Sequence, residues 1–358
     1  MDNMFANALK QFQGRDVFLY GAGGFGVEML CRLRSAGIQP RAFLDQNAEQ
    51  IQQREGVPVY TAQSAPLEFR SGTVLFCIVM DREQRREVLS WLRGLGYRFI
   101  VEGQSLRVLL VQPDDGIEEP VYFKNRREKI QSARELFRED FSRTLYDKIV
   151  YSHWTRDYTG CAELESPMWE QYFPPDIPLS KGYMRFVDCG GYTGDTVTCL
   201  TDRKGAVEAC AVFEPDSRNY IKMVENTASL KEKIGQRLCF PCAVSQTAEQ
   251  LRFAAGTGSG SLSAAGESVV QTVSLDQAIP DFHPTMLKMD IEGAELLALQ
   301  GAQELIRADR PDLAVCVYHA INHIWDIPLL LDSWKLGYRF YLRSYNAYTM
   351  ETVLYASV

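Results

Sequence analysis

Apolar positions in this chain come in short, continuous runs separated by helical patterns. Residues 17–20, 42–44 and 74–80 are apolar throughout, as strands covered on both faces are. Residues 27–36, closed by Gly37, and residues 82–95 read as helices between them, and 98–101 as a further strand. This predicts a small α/β domain over residues 1–112. Farther on, Ile130, Leu136, Phe141, Leu145 and Ile149 recur at helical spacing among charges, predicting one or two amphipathic helices. Trp154, Trp169, Tyr172 and Phe173 follow in a stretch broken by Pro174, Pro175 and Pro178, so residues 113–181 read as a helical and extended linker. From 182 to 358 the alternation returns, with strands expected at 185–188, 209–213, 237–244, 286–290 and 313–318. Two alternating runs at 338–342 and 352–355, joined by a polar loop, predict an antiparallel hairpin. The expected fold is α/β, with two Rossmann-like domains at 1–112 and 182–358.

Composition narrows the function without choosing it. The 358 residues carry 38 Lys+Arg and 46 Asp+Glu, a formal net charge of -8, and no basic run, which argues against nucleic acid as the main partner. The apolar runs are too short to span a bilayer, and the N-terminus has no signal-peptide pattern. Nine scattered cysteines read as a reduced, cytoplasmic protein. The Cys239-x-x-Cys242 pair has no second pair or suitably spaced histidine beside it and reads as two small apolar residues in a strand.

The candidate chemistry sits where strands end. Asp188 closes the run Phe186-Val187 and leads into Cys189-Gly190-Gly191-Tyr192-Thr193-Gly194-Asp195-Thr196, a glycine turn that opens a helix. Such a turn at the carboxyl end of a parallel strand is a nucleotide-type cofactor site. The next strand ends in Glu214, which can accept both hydrogen bonds of a ribose diol. The spacing differs from Gly-x-Gly-x-x-Gly, and without a pyrophosphate to cradle, the turn suits a smaller cationic ligand such as S-adenosylmethionine. A third motif, Lys288-Met289-Asp290-Ile291-Glu292-Gly293-Ala294-Glu295, brings Asp290, Glu292 and Glu295 to the same sheet edge, though Glu292 and Glu295 also suit a helix start. His319 ends the run 313–318, with His323 four residues on. His319 and Asp290 are the expected bases for a hydroxyl, with Lys288 steadying the developing charge. No metal site is assigned. The N-terminal Gly21-x-Gly23-x-x-Gly26 with Asp45 is a second turn of this kind, open to a nucleotide or nucleotide-sugar, or used only for packing or dimerisation.

With these residues the chain resembles the FkbM family of S-adenosylmethionine-dependent methyltransferases. The carriers are Phe186–Gly190 with Gly194-Asp195-Thr196, then Phe213-Glu214-Pro215-Asp216, then 287–295 with Gly301-Ala302, then Tyr318-His319 and the closing Leu336-Gly337-Tyr338-Arg339. The resemblance implies a class I methyltransferase fold ending in the hairpin, and O-methylation of a sugar, glycan or polyketide-type hydroxyl on a small-molecule or glycan acceptor. It implies that Asp188, Gly190, Tyr192 and Gly194 contact the methionine part of the cofactor, whose carboxylate lies near the amides of Asp195 and Thr196. It implies that Glu214 holds the ribose and that Ala243 and Val244 border the adenine. Asp290 and Glu292 are expected at the cofactor edge. A glycine-serine segment at 256–261 resembles ones beside the methyl-transfer site, and otherwise reads as a hairpin loop. The rival readings are an NAD(P)-dependent oxidoreductase using Gly21–Gly26, which lacks a hydride-transfer group in 1–112, and a non-catalytic nucleotide- or cofactor-binding module in glycan assembly. Oligomeric state stays open.

Overall fold

The computed structural model describes residues 9–12, 14–80, 82–108, 119–155, 157–158, 160–255, 260–262 and 268–358. The chain divides into two compact units, residues 1–112 and residues 113–255 with 259–358.

The first unit is built on β1 (Val17–Tyr20), β2 (Ala42–Leu44), β3 (Gln53–Arg54), β4 (Val57–Tyr60), β5 (Thr73–Phe76) and β6 (Phe99–Glu102), in the order β3-β4-β2-β1-β5-β6. All neighbours pair in parallel except the short β3–β4 pair. The central strands are buried on both faces, which is why they read as unbroken apolar runs. Helices Gly24–Ser35 and Arg82–Gly94 make the crossovers. The apolar run at 74–80 is strand only as far as Phe76, and β3, the polar pair Gln53-Arg54, and β4, interrupted by Pro58, escaped the apolar pattern.

The second unit holds a seven-stranded sheet of β7 (Arg185–Cys189), β8 (Val207–Phe213), β9 (Ile234–Phe240), β14 (Met286–Met289), β15 (Asp312–Cys316), β16 (Arg339–Ser344) and β17 (Thr352–Ser357). Its order is β16-β17-β15-β14-β7-β8-β9. The strands from β15 to β9 are parallel, whereas β17 pairs antiparallel with both β15 and β16. The order in which strands are added reverses between β7 and β14, which run parallel, and the crevice for a ligand in an open α/β sheet lies beyond the carboxyl ends of strands at such a switch. A smaller sheet, in the order β10-β13-β11-β12, comprises β10 (Ala243–Val244), β11 (Gln250–Ala255), β12 (Gly260–Leu262) and β13 (Ser268–Val273). The strand expected over 237–244 is therefore two strands in two sheets, because Pro241 has no N–H to continue the β9 ladder.

Residues 113–181, expected as a linker, supply part of the second unit's core. Tyr122, Phe123, Ala133, Phe137, Leu145, Tyr146 and Ile149 are buried in one apolar cluster with Leu287, Val315, Trp325 and Phe340. The helices Glu119–Asn125, Arg127–Leu136 and Asp140–Thr155 thus cover the apolar face of the sheet. Among the described residues, no helix is long and apolar enough to cross a membrane.

Candidate functional site

The glycine turn after β7 is fixed by close backbone contact. Gly190 has φ +92°, Tyr192 +45° and Gly194 +81°. A Cβ on Gly190 would stand 1.9 Å from the carbonyl oxygen of Asp290, and one on Gly191 2.3 Å from Val212 Cγ1. The amides of Gly190 and Gly191 both donate to the carbonyl of Phe213, at 3.0 and 2.9 Å. Helix Asp195–Lys204 then opens, with Asp195 exposed and Thr196 half-buried at its first turn.

Glu214 ties this turn to the tip of β8. Its Oε2 accepts the Tyr192 amide at 2.9 Å and its Oε1 accepts the Asp216 amide at 2.8 Å. Asp216 then caps helix Ser217–Ala228 through the amides of Arg218 and Asn219. Burial pushes the Glu214 carboxyl up to about 7, in spite of these two amides. Each oxygen keeps a second lone pair.

Beneath the turn lies a buried ion pair. Asp188 and Lys288 are opposite each other on paired strands, with Lys288 Nζ 2.8 Å from Asp188 Oδ1. Lys288 also donates to the carbonyl of Gly190 at 2.7 Å and stands 5.2 Å over the ring of Tyr172. Burial works against the lysine's charge, but Asp188 and Asp290 outweigh it and hold the ammonium above the ordinary lysine range. Burial carries the Asp188 carboxyl up to about 6 even so. Asp188 Oδ2 is buried with no hydrogen-bond donor.

The third motif forms a second cluster at the same edge. Asp290 Oδ2 accepts the hydroxyl of Tyr172 at 2.8 Å, and its Oδ1 accepts that of Tyr318 at 3.3 Å. His319 Nδ1 lies 2.7 Å from Glu295 Oε1. Glu295 is fully buried, receives the Ile291 amide at 3.0 Å, and has His323 Nδ1 3.2 Å from its other oxygen. His319 Nε2 stands 3.5 Å from Asp290 Oδ1 and 3.6 Å from Glu292 Oε2. Burial alone would lower the imidazole's pKa, but Glu295, Glu292 and Asp290 reverse that and raise it to about 10. The histidine contacts in turn hold the Glu295 carboxyl well below its usual range, although burial opposes this.

These positions bear on two expected roles. The three carboxylates around His319 favour its protonated form, which works against the free base expected of it. Lys288 is buried and spent on Asp188 and Gly190, so it positions the turn and cannot reach out to an acceptor. Ala243 and Val244 are buried in β10, in the smaller sheet. Of the glycine-serine segment, residues 256–259 lie outside the described residues, and Gly260 and Ser261 fall in β12. Tyr172 escaped notice as a site residue because it belongs to no motif. It reaches Asp290 only because the Tyr355 hydroxyl accepts its amide at 2.9 Å, with its backbone at φ +66°.

The first unit repeats the stapled turn. Asp45 Oδ2 accepts the Ala22 amide at 2.8 Å and its Oδ1 accepts that of Asn47 at 2.9 Å. The Gly21 amide donates to Leu44 at 2.8 Å. A Cβ on Gly26 would meet the Gly21 carbonyl oxygen at 2.0 Å, whereas one on Gly23 would meet nothing within 4 Å. Gly26 is thus required by helix–turn packing, and Gly23 lies open.

A glycine turn, an acid at the adjoining strand tip and an acidic cluster thus lie together at the carboxyl edge of a mixed α/β sheet, where ligands of such sheets bind. Residues 188–340 match the family model of the methyltransferase FkbM domain, a match that supports an S-adenosylmethionine-dependent methyltransferase. The fold of the whole chain is similar to a crystal structure of methyltransferase FkbM from Methylobacillus flagellatus KT, at 21% identity and TM-score 0.65, over 99% of this chain and 93% of that one. No curated protein matches the sequence.

Proposed function

We propose that the chain is an O-methyltransferase that methylates a hydroxyl of a sugar, glycan or related natural product in the cytoplasm. In this reading the second unit is a class I methyltransferase fold and the first a Rossmann-like one. The observation that carries the cofactor assignment is Asp188 Oδ2, a buried carboxylate oxygen without a donor directly under a glycine turn that admits no side chain. A ligand with a cationic or N–H group at the turn supplies what that oxygen lacks. S-adenosylmethionine carries both an ammonium and a sulfonium, and when bound it supplies the methyl group. Gly190, Tyr192 and Gly194 shape its seat, the amides of Asp195 and Thr196 face its carboxylate, and Glu214 turns its remaining lone pairs to the ribose. Asp290 and Glu292 face the acceptor, where the carboxylates hold and orient the hydroxyl. Lys288 and Tyr172 keep the two halves of the site in register.

The test is calorimetry of S-adenosylmethionine and of NADH on one sample of the full chain, followed by methyl transfer to a panel of hydroxylated acceptors. Binding of NADH and not of S-adenosylmethionine would overturn the reading. For the first unit, the Asp45 staple and the open face of Gly23 support a nucleotide or nucleotide-sugar ligand. Thermal shifts of the full chain with nucleotide-sugars, present in wild type and lost in Asp45→Ala, test it. Their absence in wild type would leave that unit a packing domain.

A further inference from the structure

We propose that His319 Nε2, Asp290 and Glu292 form a binding site for one divalent transition-metal ion, with Glu295 as the group that orients the histidine. His319 has 7% of its side chain exposed, and its Nε2 has no hydrogen-bond partner. That nitrogen is aimed between two carboxylates, 3.5 Å from Asp290 Oδ1 and 3.6 Å from Glu292 Oε2. Metal bonds of about 2.1 Å place neighbouring ligand atoms about 3.0 to 3.5 Å apart, so each of the two histidine–carboxylate distances fits one ion with a shift of a few tenths of an ångström at most.

The other ring nitrogen supplies the second argument. Metal-bound histidine nearly always gives its remaining N–H to a carboxylate or carbonyl, which fixes the tautomer and turns the free nitrogen toward the ion. His319 Nδ1 is 2.7 Å from Glu295 Oε1, and the Ile291 amide anchors that same oxygen. Metal binding releases the Nε2 proton, and the ion takes its place between the two carboxylates. Tyr172 orients Asp290 through Oδ2, the far oxygen, while Tyr318 donates to Oδ1, the oxygen that faces His319. Two carboxylates and one imidazole suit Mn²⁺, Fe²⁺, Co²⁺ or Zn²⁺ better than Mg²⁺, which prefers oxygen and keeps its waters.

The role of the ion rests on the methyltransferase reading above. An acceptor hydroxyl on the metal loses its proton to water more easily. Its oxygen then forms the bond to the methyl carbon as the carbon–sulfur pair returns to sulfur. The metal site itself does not depend on that reading, so its test omits the cofactor. The chelator-stripped full chain is titrated with Mn²⁺ and followed by electron paramagnetic resonance and calorimetry. The expected result is one Mn²⁺ per chain with nitrogen hyperfine coupling from a single imidazole. Binding should weaken more than tenfold in Glu292→Gln, whose partly exposed side chain leaves folding intact. It should weaken by about 10- to 100-fold in Glu295→Gln, with thermal melts checking the fold. The coupling should vanish in His319→Gln. No saturable binding of Mn²⁺ or Zn²⁺, bound Mn²⁺ without nitrogen coupling, or Mg²⁺ binding as tightly as Mn²⁺ would each overturn the site.

Discussion

Replacing Glu214 with Gln should both weaken the cofactor and remove a pH dependence. The wild-type carboxyl titrates at about 7 because it is buried. Only its ionised form can accept the Tyr192 and Asp216 amides and two ribose hydroxyls together. With a pKa of about 7 it is roughly a tenth ionised at pH 6 and nine-tenths ionised at pH 8, so affinity should rise about tenfold, or ~1.4 kcal/mol, across that range. Glutamine keeps one acceptor oxygen but turns an N–H₂ toward the other amide. Losing one charge-assisted bond costs about 1.5–3 kcal/mol, so affinity at pH 8 should fall roughly 10- to 100-fold. The assay is calorimetric titration with S-adenosylmethionine at pH 6, 7 and 8 on both proteins. The ligand's own titration is common to both and cancels in the ratio of their affinities. That ratio should shrink about tenfold from pH 8 to pH 6. The same shift acts on the free protein with the opposite sense. A carboxyl whose pKa is raised on folding favours the fold at low pH, and its contribution is lost as pH rises from about 4.5 to about 7, by up to about 3 kcal/mol. Urea midpoints should therefore fall between pH 5 and 8 more steeply for wild type than for Glu214→Gln. A pH-independent affinity ratio, or equal affinities, would refute the role given to Glu214.

Lys288→Met should destabilise the second unit by about 3–5 kcal/mol, because it leaves Asp188 buried and unpaired, while Asp188→Asn with Lys288→Met recovers most of the loss; urea unfolding midpoints of the three proteins decide this, and a neutral Lys288→Met would contradict it. Gly190→Ala should abolish cofactor binding and lower the melting temperature, since its Cβ meets the Asp290 carbonyl oxygen at 1.9 Å, whereas Gly23→Ala, with nothing within 4 Å, should leave the melt unchanged. Gly26→Ala should lower the melting temperature with no ligand present, and a normal melt would mean that the helix can move off the turn. Tyr172→Phe should weaken methyl transfer more than cofactor affinity, because the lost hydroxyl orients Asp290; equal losses in both would place Tyr172 in the cofactor seat.

The strands at the centre of both sheets were legible because they are buried on both faces and leave continuous apolar runs, as at 17–20 and 209–213. The glycine turn and the acids at strand tips were legible because they are local: a strand end, a φ only glycine tolerates, an acid two or three residues on. What stayed hidden is what a sequence does not order. Tyr172 reads as one aromatic in a proline-broken stretch, and only the fold brings its hydroxyl to an acid more than a hundred residues away. Of the three helices over 119–155, one or two were visible from the apolar positions at 130–149, but not as core, since amphipathic periodicity says that a face is buried without saying against what. His319 was visible as a strand-end histidine. Its charge state depends on three carboxylates, of which Glu295 alone contacts it at hydrogen-bond distance.

The two units share one turn and differ in what lies under it. Gly21 and Gly190 each donate to the last residue of the neighbouring strand, and Asp45 and Glu214 each take one amide from the turn and one from two residues ahead. Strand-end acid plus glycine turn is therefore a way of building the turn, and by itself names no ligand. The register makes the difference explicit. Asp188 faces Lys288 across paired strands in the second unit, and the equivalent pair in the first is Leu19 opposite Leu75, both fully buried. The amide that donates to the residue before the glycine belongs to Asp290 in one unit and to Cys77 in the other. Among the described residues, the turn of the first unit has no counterpart of the buried Asp188–Lys288 pair. In the nucleotide reading proposed above, the Asp45 carboxylate accepts ribose hydroxyls and the backbone amides beside the open face of Gly23 face a phosphate.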